Sequence, residues 1–276
     1  MEVIIAKNAG FCFGVEKAID TTVKSLEEKS DVYSLGPLIH NDQVVDYLAD
    51  KGLTVVDSPD EAENKNLIIR SHGVPLSVYD IAEERGNNII DCTCPFVRNL
   101  QKKARGCYEA GSNIIIVGDR NHPEIIGING WCNNDAYIVN SVEDVQRLKP
   151  MESACVMVQT TMIEEKFDRL VIELKKYIKD LTVFNTICSA TRVRQDSCGE
   201  VSKNVDAMVV IGGRKSSNTK KLAEISRENC DNVYHIEEAK EIDEEEFKKY
   251  STVGVTAGAS TPDWIIKETV EKLKAI

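Results

Sequence analysis

The sequence predicts an α/β protein made of three small units, each with a parallel-rich sheet, in a pseudo-threefold arrangement around a central site. Three observations carry this. Short apolar runs alternate along the chain with amphipathic segments of 10–16 residues, the pattern of parallel sheets joined by helical crossovers. Loops of similar composition recur after corresponding strands. Three cysteines, Cys12, Cys94 and Cys188, each follow a β-branched run and open a segment with helical spacing. A two-lobed doubly wound protein is the rival for a chain of 276 residues, because length alone suggests one to two ordinary domains.

The elements follow in order. Predicted strands include Val3–Ala6, Leu67–Arg70, Ile114–Val117, Cys155–Val158, Ala207–Ile211 and Thr252–Val255, all short and apolar. Predicted helices include Val15–Glu28, Leu76–Arg85, Val97–Glu109, Glu164–Lys179, Asn218–Glu228 and Asp263–Leu273. The loops after the first strands read SLGPLIHN, IVGDRNHPE and VIGGRKSSN. Those after the second read IIRSHGVP, VMVQTTMI and GVTAGASTP, and those after the third NIIDCTCPF, VFNTICSAT and VIIAKNAGFCFG. The last of these comes from the start of the chain. The units are therefore expected at 14–94, 95–185 and 186–276, the third completed by an N-terminal strand in 1–13. In such sheets, ligands sit beyond the carboxyl ends of the strands. The acidic run Glu237–Glu246 reads as a solvated helical face.

Composition narrows the class. With 42% hydrophobic residues the chain can bury a substantial core. A formal net charge of -11 argues against a nucleic-acid backbone or an anionic membrane as main partner. The N-terminal segment lacks a signal-peptide pattern, and no apolar run reaches membrane-spanning length. Nine cysteines is an odd number without a CxxC pair; disulfide scaffolds, zinc ribbons and thioredoxin-like sites are disfavoured, and a reducing cytoplasm is expected.

Three thiolates from three equivalent units suit a 4Fe-4S cubane, which has a threefold axis through one corner. Three Cys would hold three irons and leave the fourth open, whereas the usual cubane has four Cys. Cys92 and Cys94 would share a face if extended. Cys94 is preferred because Pro95 follows it, as after the last Cys of some iron–sulfur motifs. Cys107, Cys132, Cys155, Cys198 and Cys230 read as core thiols.

Three of the four His, namely His40, His72 and His122, fall in the recurring loops. The matching loops without His carry Thr160, Thr161, Ser216, Ser217, Asn218, Ser260 and Thr261. Such donors at helix starts make an anion-binding surface, though the same residues also serve as helix caps. Glu124 stands two residues after His122. It complements a helix N-terminus, or serves as a general acid if burial or a bound diphosphate raises its pKa. Gly212–Gly213 lacks the spacing of a dinucleotide loop. Trp131 and Trp264 read as packing residues.

These motifs resemble the 4-hydroxy-3-methylbut-2-enyl diphosphate reductase family of iron–sulfur enzymes, from GFCFGVEKAI through LGPLIHN, RSHGV, DCTCPFV, NHPE, QTT, TICSAT and KSSN to TAGAS. The resemblance covers essentially the whole chain. It implies one 4Fe-4S cluster on Cys12, Cys94 and Cys188. It implies a diphosphate held by His40, His72, Ser216, Ser217, Asn218 and Ser260, with His122 at the phosphate end. It assigns Glu124 and Thr160 to the substrate hydroxyl. The implied reaction is a two-electron reductive dehydroxylation giving isopentenyl and dimethylallyl diphosphate. Electrons would come from outside, from a ferredoxin or flavodoxin. A redox-neutral hydro-lyase and an iron–sulfur sensor are the alternatives.

Overall fold

The computed structural model describes Met1–Ile276. In chain order its elements are β1 (Glu2–Ile5), α1 (Phe13–Glu28), β2 (Val32–Leu35), α2 (Asp42–Asp50), β3 (Thr54–Val56), β4 (Asn66–Ile69), α3 (Leu76–Glu84) and β5 (Asn88–Asp91). There follow α4 (Pro95–Glu109), β6 (Asn113–Val117), α5 (Pro123–Gly130), β7 (Tyr137–Val139), α6 (Val142–Gln146), β8 (Met151–Val158), α7 (Glu164–Leu174) and β9 (Ile178–Phe184). The last elements are α8 (Ser189–Ser202), β10 (Ala207–Ile211), α9 (Ser217–Asn229), β11 (Val233–Ile236), α10 (Glu244–Phe247), β12 (Thr252–Ala257) and α11 (Asp263–Ala275). No helix is long and apolar enough to cross a membrane.

The chain forms two compact bodies. One comprises Met1–Glu16, Ile39–Tyr47 and Ser189–Ile276; the other comprises Lys17–Leu38 and Leu48–Cys188. The first body holds a four-stranded sheet of order β1-β12-β10-β11. The second holds two four-stranded sheets, β3-β2-β4-β5 and β7-β6-β8-β9. Every pairing is parallel. The three sheets share one strand order. In each, the second strand along the chain lies at an edge, followed by the first, the third and a fourth. In the first body that fourth strand is β1, which pairs with β12 at Val3↔Val253.

The central strands are buried on both faces, which is why they read as continuous apolar runs rather than alternating ones. Ile115, Val117, Val156 and Val158 face one core of the second body, while Ile114, Ile116, Cys155 and Met157 face another. The same division separates Val209 and Ile211 from Met208 and Val210 in the first body. Full burial of each such side chain stabilises the fold by about 1.5–3 kcal/mol, so register in these strands is strongly specified.

Two local differences from the sequence expectation stand out. The helix expected over Glu164–Lys179 ends at Leu174. Ile178 continues the helical spacing of Leu170, Val171 and Leu174, but β8 recruits it as the first residue of β9, with Met151 opposite. The acidic run over Glu237–Glu246 is two short turns, Ala239–Glu241 and α10. Glu241 interrupts it by accepting from the backbone N–H groups of Glu237 and Glu238 and from Arg214.

Candidate active site

The three sheets end in chemically equivalent loops. Each fourth strand is followed by one of the three sequence-predicted cysteines just before a helix. Each cysteine's amide is anchored by the loop after its sheet's third strand. Cys12 N donates to Ala259 O at 3.1 Å, Cys94 N to Ser71 O at 2.9 Å and Cys188 N to Thr160 O at 3.0 Å. All three cysteines are half-buried. Of the remaining thiols, Cys107 is half-buried as well and the other five are buried. Burial pushes Cys92 up to about 11 and Cys132 up to about 12, and burial with the neighbouring Cys155 thiol pushes Cys107 up to about 12. Burial also raises Cys198. A soft metal centre takes thiolates, not thiols. Partly accessible cysteines on rigid loop ends therefore fit an iron–sulfur cluster. Cys92 is only 7% exposed.

In the second body, the loop after β6 carries His122, which caps α5, and Glu124 in the first turn of that helix. Glu124 is 2% exposed. Its Oε1 accepts from Thr160 N at 2.7 Å and its Oε2 from Thr160 Oγ1 at 2.7 Å. Thr160 follows β8, so two adjacent central strands of one sheet hold the carboxylate and the hydroxyl together. Glu124 N donates to His122 Nδ1 at 3.2 Å. A ring nitrogen that accepts is unprotonated, so neutral His122 carries its proton on Nε2. The His72 ring packs edge-on against His122, with centroids 5.5 Å apart. The sequence-predicted His72, His122, Glu124 and Thr160 thus converge.

In the first body, the loop after β10 leads into α9. Ser216 caps that helix, its Oγ accepting from Thr219 N at 3.3 Å. An N-cap oxygen that accepts leaves its own hydroxyl proton for another partner. Ser217 Oγ accepts from Lys221 Nζ at 3.0 Å. Asn218 is 3% exposed, yet neither its Nδ2 nor its Oδ1 has a hydrogen-bond partner. Buried amides are nearly always satisfied, and an orphan at a helix N-terminus fits a polyanionic ligand. Ser260 Oγ donates to His40 O at 3.3 Å. His40, Ser216, Ser217, Asn218 and Ser260 are thus gathered in the same body.

Two predicted donors have structural duties. Thr261 Oγ1 bonds Ile211 O at 3.0 Å, and Thr161 Oγ1 accepts from Gln159 Nε2 at 3.2 Å. The sequence reading missed Gly213, which it considered only as part of a dinucleotide loop. A Cβ there would lie 2.4 Å from His40 O, so glycine is needed for two backbones to approach. The absence of a side chain between a strand and KSSN was the available signal. Trp131 packs as expected, its Nε1 bonding Val74 O at 3.0 Å, whereas Trp264 is 50% exposed.

The LytB protein family model matches residues 3–274. A relative from Caldanaerobacter subterraneus subsp. tengcongensis, named 4-hydroxy-3-methylbut-2-enyl diphosphate reductase, is 49% identical over 100% of this chain and 98% of its own length. Among solved structures, (E)-4-hydroxy-3-methyl-but-2-enyl diphosphate reductase, described as the terminal enzyme of the non-mevalonate pathway, matches 100% of both chains at 39% identity and a TM-score of 0.72. The Plasmodium falciparum E-1-hydroxy-2-methyl-but-2-enyl-4-diphosphate reductase covers 98% of this chain and 87% of its own, with 26% identity and a TM-score of 0.94. The loop equivalence, the full-length match and the shared fold agree: the chain belongs to the LytB protein family.

Proposed function

We propose that this chain is an iron–sulfur oxidoreductase that removes the hydroxyl of 4-hydroxy-3-methylbut-2-enyl diphosphate. The substrate takes up two electrons and two protons, its C–O bond breaks, and isopentenyl or dimethylallyl diphosphate leaves with water. The observation that carries this reading is the repeated anchoring of Cys12, Cys94 and Cys188 by the same kind of loop carbonyl. The names of full-length relatives support it.

Cys12, Cys94 and Cys188 hold one 4Fe-4S cluster. Bound there, the cluster supplies electrons and, at the iron without a protein ligand, a Lewis acid. The chain's own residues supply the rest. Asn218, Ser216, Ser217, Ser260, His40 and His72, with the first amides of α9, bind the diphosphate. The donor set is largely neutral, so a dianion or trianion enters without displacing a tightly held counterion. His122, protonated on Nε2, adds a donor.

Glu124 and Thr160 handle the proton. Thr160 has one hydroxyl proton. While it donates to a carboxylate, its oxygen is an acceptor for the substrate hydroxyl. When Glu124 is protonated the directions reverse, and Thr160 donates to the departing oxygen. This two-residue relay delivers a proton where water forms, as general-acid catalysis requires. Electrons arrive from a ferredoxin or flavodoxin in the cytoplasm. Each sheet with its helices is a structural unit, at 14–94, 95–185 and 186–276 with 1–13.

The test is anaerobic purification, iron and sulfide analysis, and turnover with a chemical one-electron reductant. Both isomeric products are expected, strictly dependent on reductant. Water loss without reductant would mark a hydro-lyase instead, and cluster loading without turnover a sensor.

A further inference from the structure

Two of the three cysteine loops share a side-chain feature besides their amide anchors. β5 and β9 are edge strands of their sheets. Past the end of β5, Cys92 N donates to Ile69 O at 3.0 Å and Cys94 N to Ser71 O at 2.9 Å. Thr93 N, between them, faces the side where no strand lies, the usual predicament of an edge. Asp91 meets it: its Oδ1 accepts from Thr93 N at 2.9 Å. Past the end of β9, Asn185 Oδ1 accepts from Ile187 N at 3.2 Å. The segments read DCTC and NTIC. In each, an Asp or Asn three residues before the cysteine captures the amide one residue before it, closing an Asx turn.

The far end of each side chain is tied to a helix. Asp91 Oδ2 accepts from Tyr79 OH of α3 at 3.1 Å and pairs with Arg98 in the first turn of α4. Arg98 also donates to Tyr79 OH at 2.7 Å, and its guanidinium lies over the Tyr79 and Trp131 rings, 5.3 and 5.4 Å from their centroids. Asn185 Nδ2 donates to Oε1 of Glu164, the first residue of α7, at 2.9 Å. Asp91 and Asn185 are both exposed, so water would satisfy them without these contacts. Fastening an exposed side chain from two sides costs rotamer freedom. That it happens twice, at the same distance from two equivalent cysteines, points to a purpose in the loops. The Cys12 loop closes differently. Three residues before Cys12 stands Ala9, whose N donates to Ala6 O at 3.4 Å, and Gly10 follows at φ +106°.

We infer that Asp91 and Asn185 are positioning residues that present Cys94 and Cys188 for ligation, each through an Asx turn fixed to a neighbouring helix. The ligation rests on the cluster reading proposed above; the anchoring of the two loops does not.

The experiment compares Asp91→Ala, Asp91→Asn and Asn185→Ala with the unaltered chain. In apo protein, hydrogen exchange is followed at the amides of Thr93, Cys94, Ile187, Cys188 and Cys12. Asp91→Ala speeds exchange at Thr93 and Cys94 by about fivefold or more, the local opening expected for one lost hydrogen bond, and leaves the other three unchanged. Asn185→Ala does the same at Ile187 and Cys188 alone. Asp91→Asn keeps the turn carbonyl and stays within about twofold of the unaltered rates. Unchanged exchange in the alanine variants, equal acceleration at all five amides, or an Asn variant as fast as the Ala variant overturns the anchoring. In anaerobically loaded protein, release of iron to a chelator is timed. Each alanine variant releases iron about fivefold faster, and Asp91→Asn releases it at nearly the unaltered rate. Release at the unaltered rate from the alanine variants overturns the role in ligation. Should an alanine variant fail to fold, Asp91→Glu or Asn185→Gln takes its place, because one extra methylene displaces the turn acceptor while keeping the polar group. An unaltered chain that binds no iron refutes the cluster reading and with it the role in ligation, leaving the exchange data to judge the anchoring.

Discussion

Two buried polar sites, Glu124 in the second body and Asn218 in the first, meet their hydrogen-bonding needs in opposite ways. In the second body, both carboxylate oxygens of Glu124 are satisfied by Thr160, and the Glu124 amide is satisfied by His122. In the first body, Asn218 is as deeply buried but both ends of its amide are unpaired. A buried donor or acceptor left unmet costs about 1–3 kcal/mol. On the proposed function, the relay is assembled before substrate arrives, while the anion cradle carries a deficit that a ligand would remove. Proton transfer depends on fixed geometry between two side chains, so preorganisation is worth having there. Binding gains most when the ligand satisfies groups that the protein leaves unmet.

The largest expected effect breaks the satisfied half. Glu124→Gln keeps the shape but cannot pass a proton. Turnover falls by at least about 10²-fold, the lower end for a general acid, while substrate still raises the melting temperature. Single-turnover kinetics and a thermal shift assay separate the two effects. Near-normal turnover would remove the relay and leave Thr160 only a structural role.

Gly213→Ala attacks the cradle's backbone. The added Cβ meets a carbonyl rather than a flexible side-chain tip. Overpacking of this kind costs about 1–3 kcal/mol. Chemical denaturation of the apo chain should show the loss, accompanied by weaker substrate binding. An unchanged midpoint would mean the loops are not held at this spacing.

Asn218→Leu sharpens the comparison because its two effects have opposite signs. Replacing an unsatisfied buried amide with a group of similar size stabilises the apo chain by about 1 kcal/mol. The substrate-induced rise in melting temperature shrinks, because ligand stabilisation scales with affinity. Destabilisation of the apo chain by this change would show that Asn218 is not under-bonded.

How much of this was legible in the sequence differs by feature. The three-sheet pattern was, because doubly buried strands such as AMVVI and NIIIV are uninterrupted and their Gly-containing loops repeat. The edge strands TVV and YIV were not, since three residues give no period to read. NHPE singled out Glu124 as a candidate, but its pairing with both the N–H and the Oγ of Thr160 was not legible, because strand adjacency sets it. Cys94 was preferred over Cys92 on the strength of Pro95. The burial that raises the Cys92 thiol could not be read from the sequence.

The buried thiols also predict a loss of stability in alkali. An ordinary thiol pKa is 9.0, and Cys92 is raised to about 11 in the folded chain. A raised native pKa means the folded state binds the proton more tightly. Its contribution is complete below pH 9.0 and declines as pH rises toward about 11, because the unfolded thiol ionises first. The denaturation midpoint should therefore fall above about pH 9, and Cys92→Ala should flatten that fall. An identical slope in the variant would assign the alkaline loss elsewhere.

The central claim is that Cys12, Cys94 and Cys188 are the equivalent ligands of one cluster. The most direct measurement is iron and sulfide per chain after anaerobic loading of Cys12→Ser, Cys94→Ser, Cys188→Ser and Cys92→Ser. The account predicts about four irons in the unaltered chain and in Cys92→Ser, with loss of the full complement in each of the other three. A Cys92→Ser chain that loses its iron, or a Cys94→Ser or Cys188→Ser chain that keeps all of it with activity, would contradict the account.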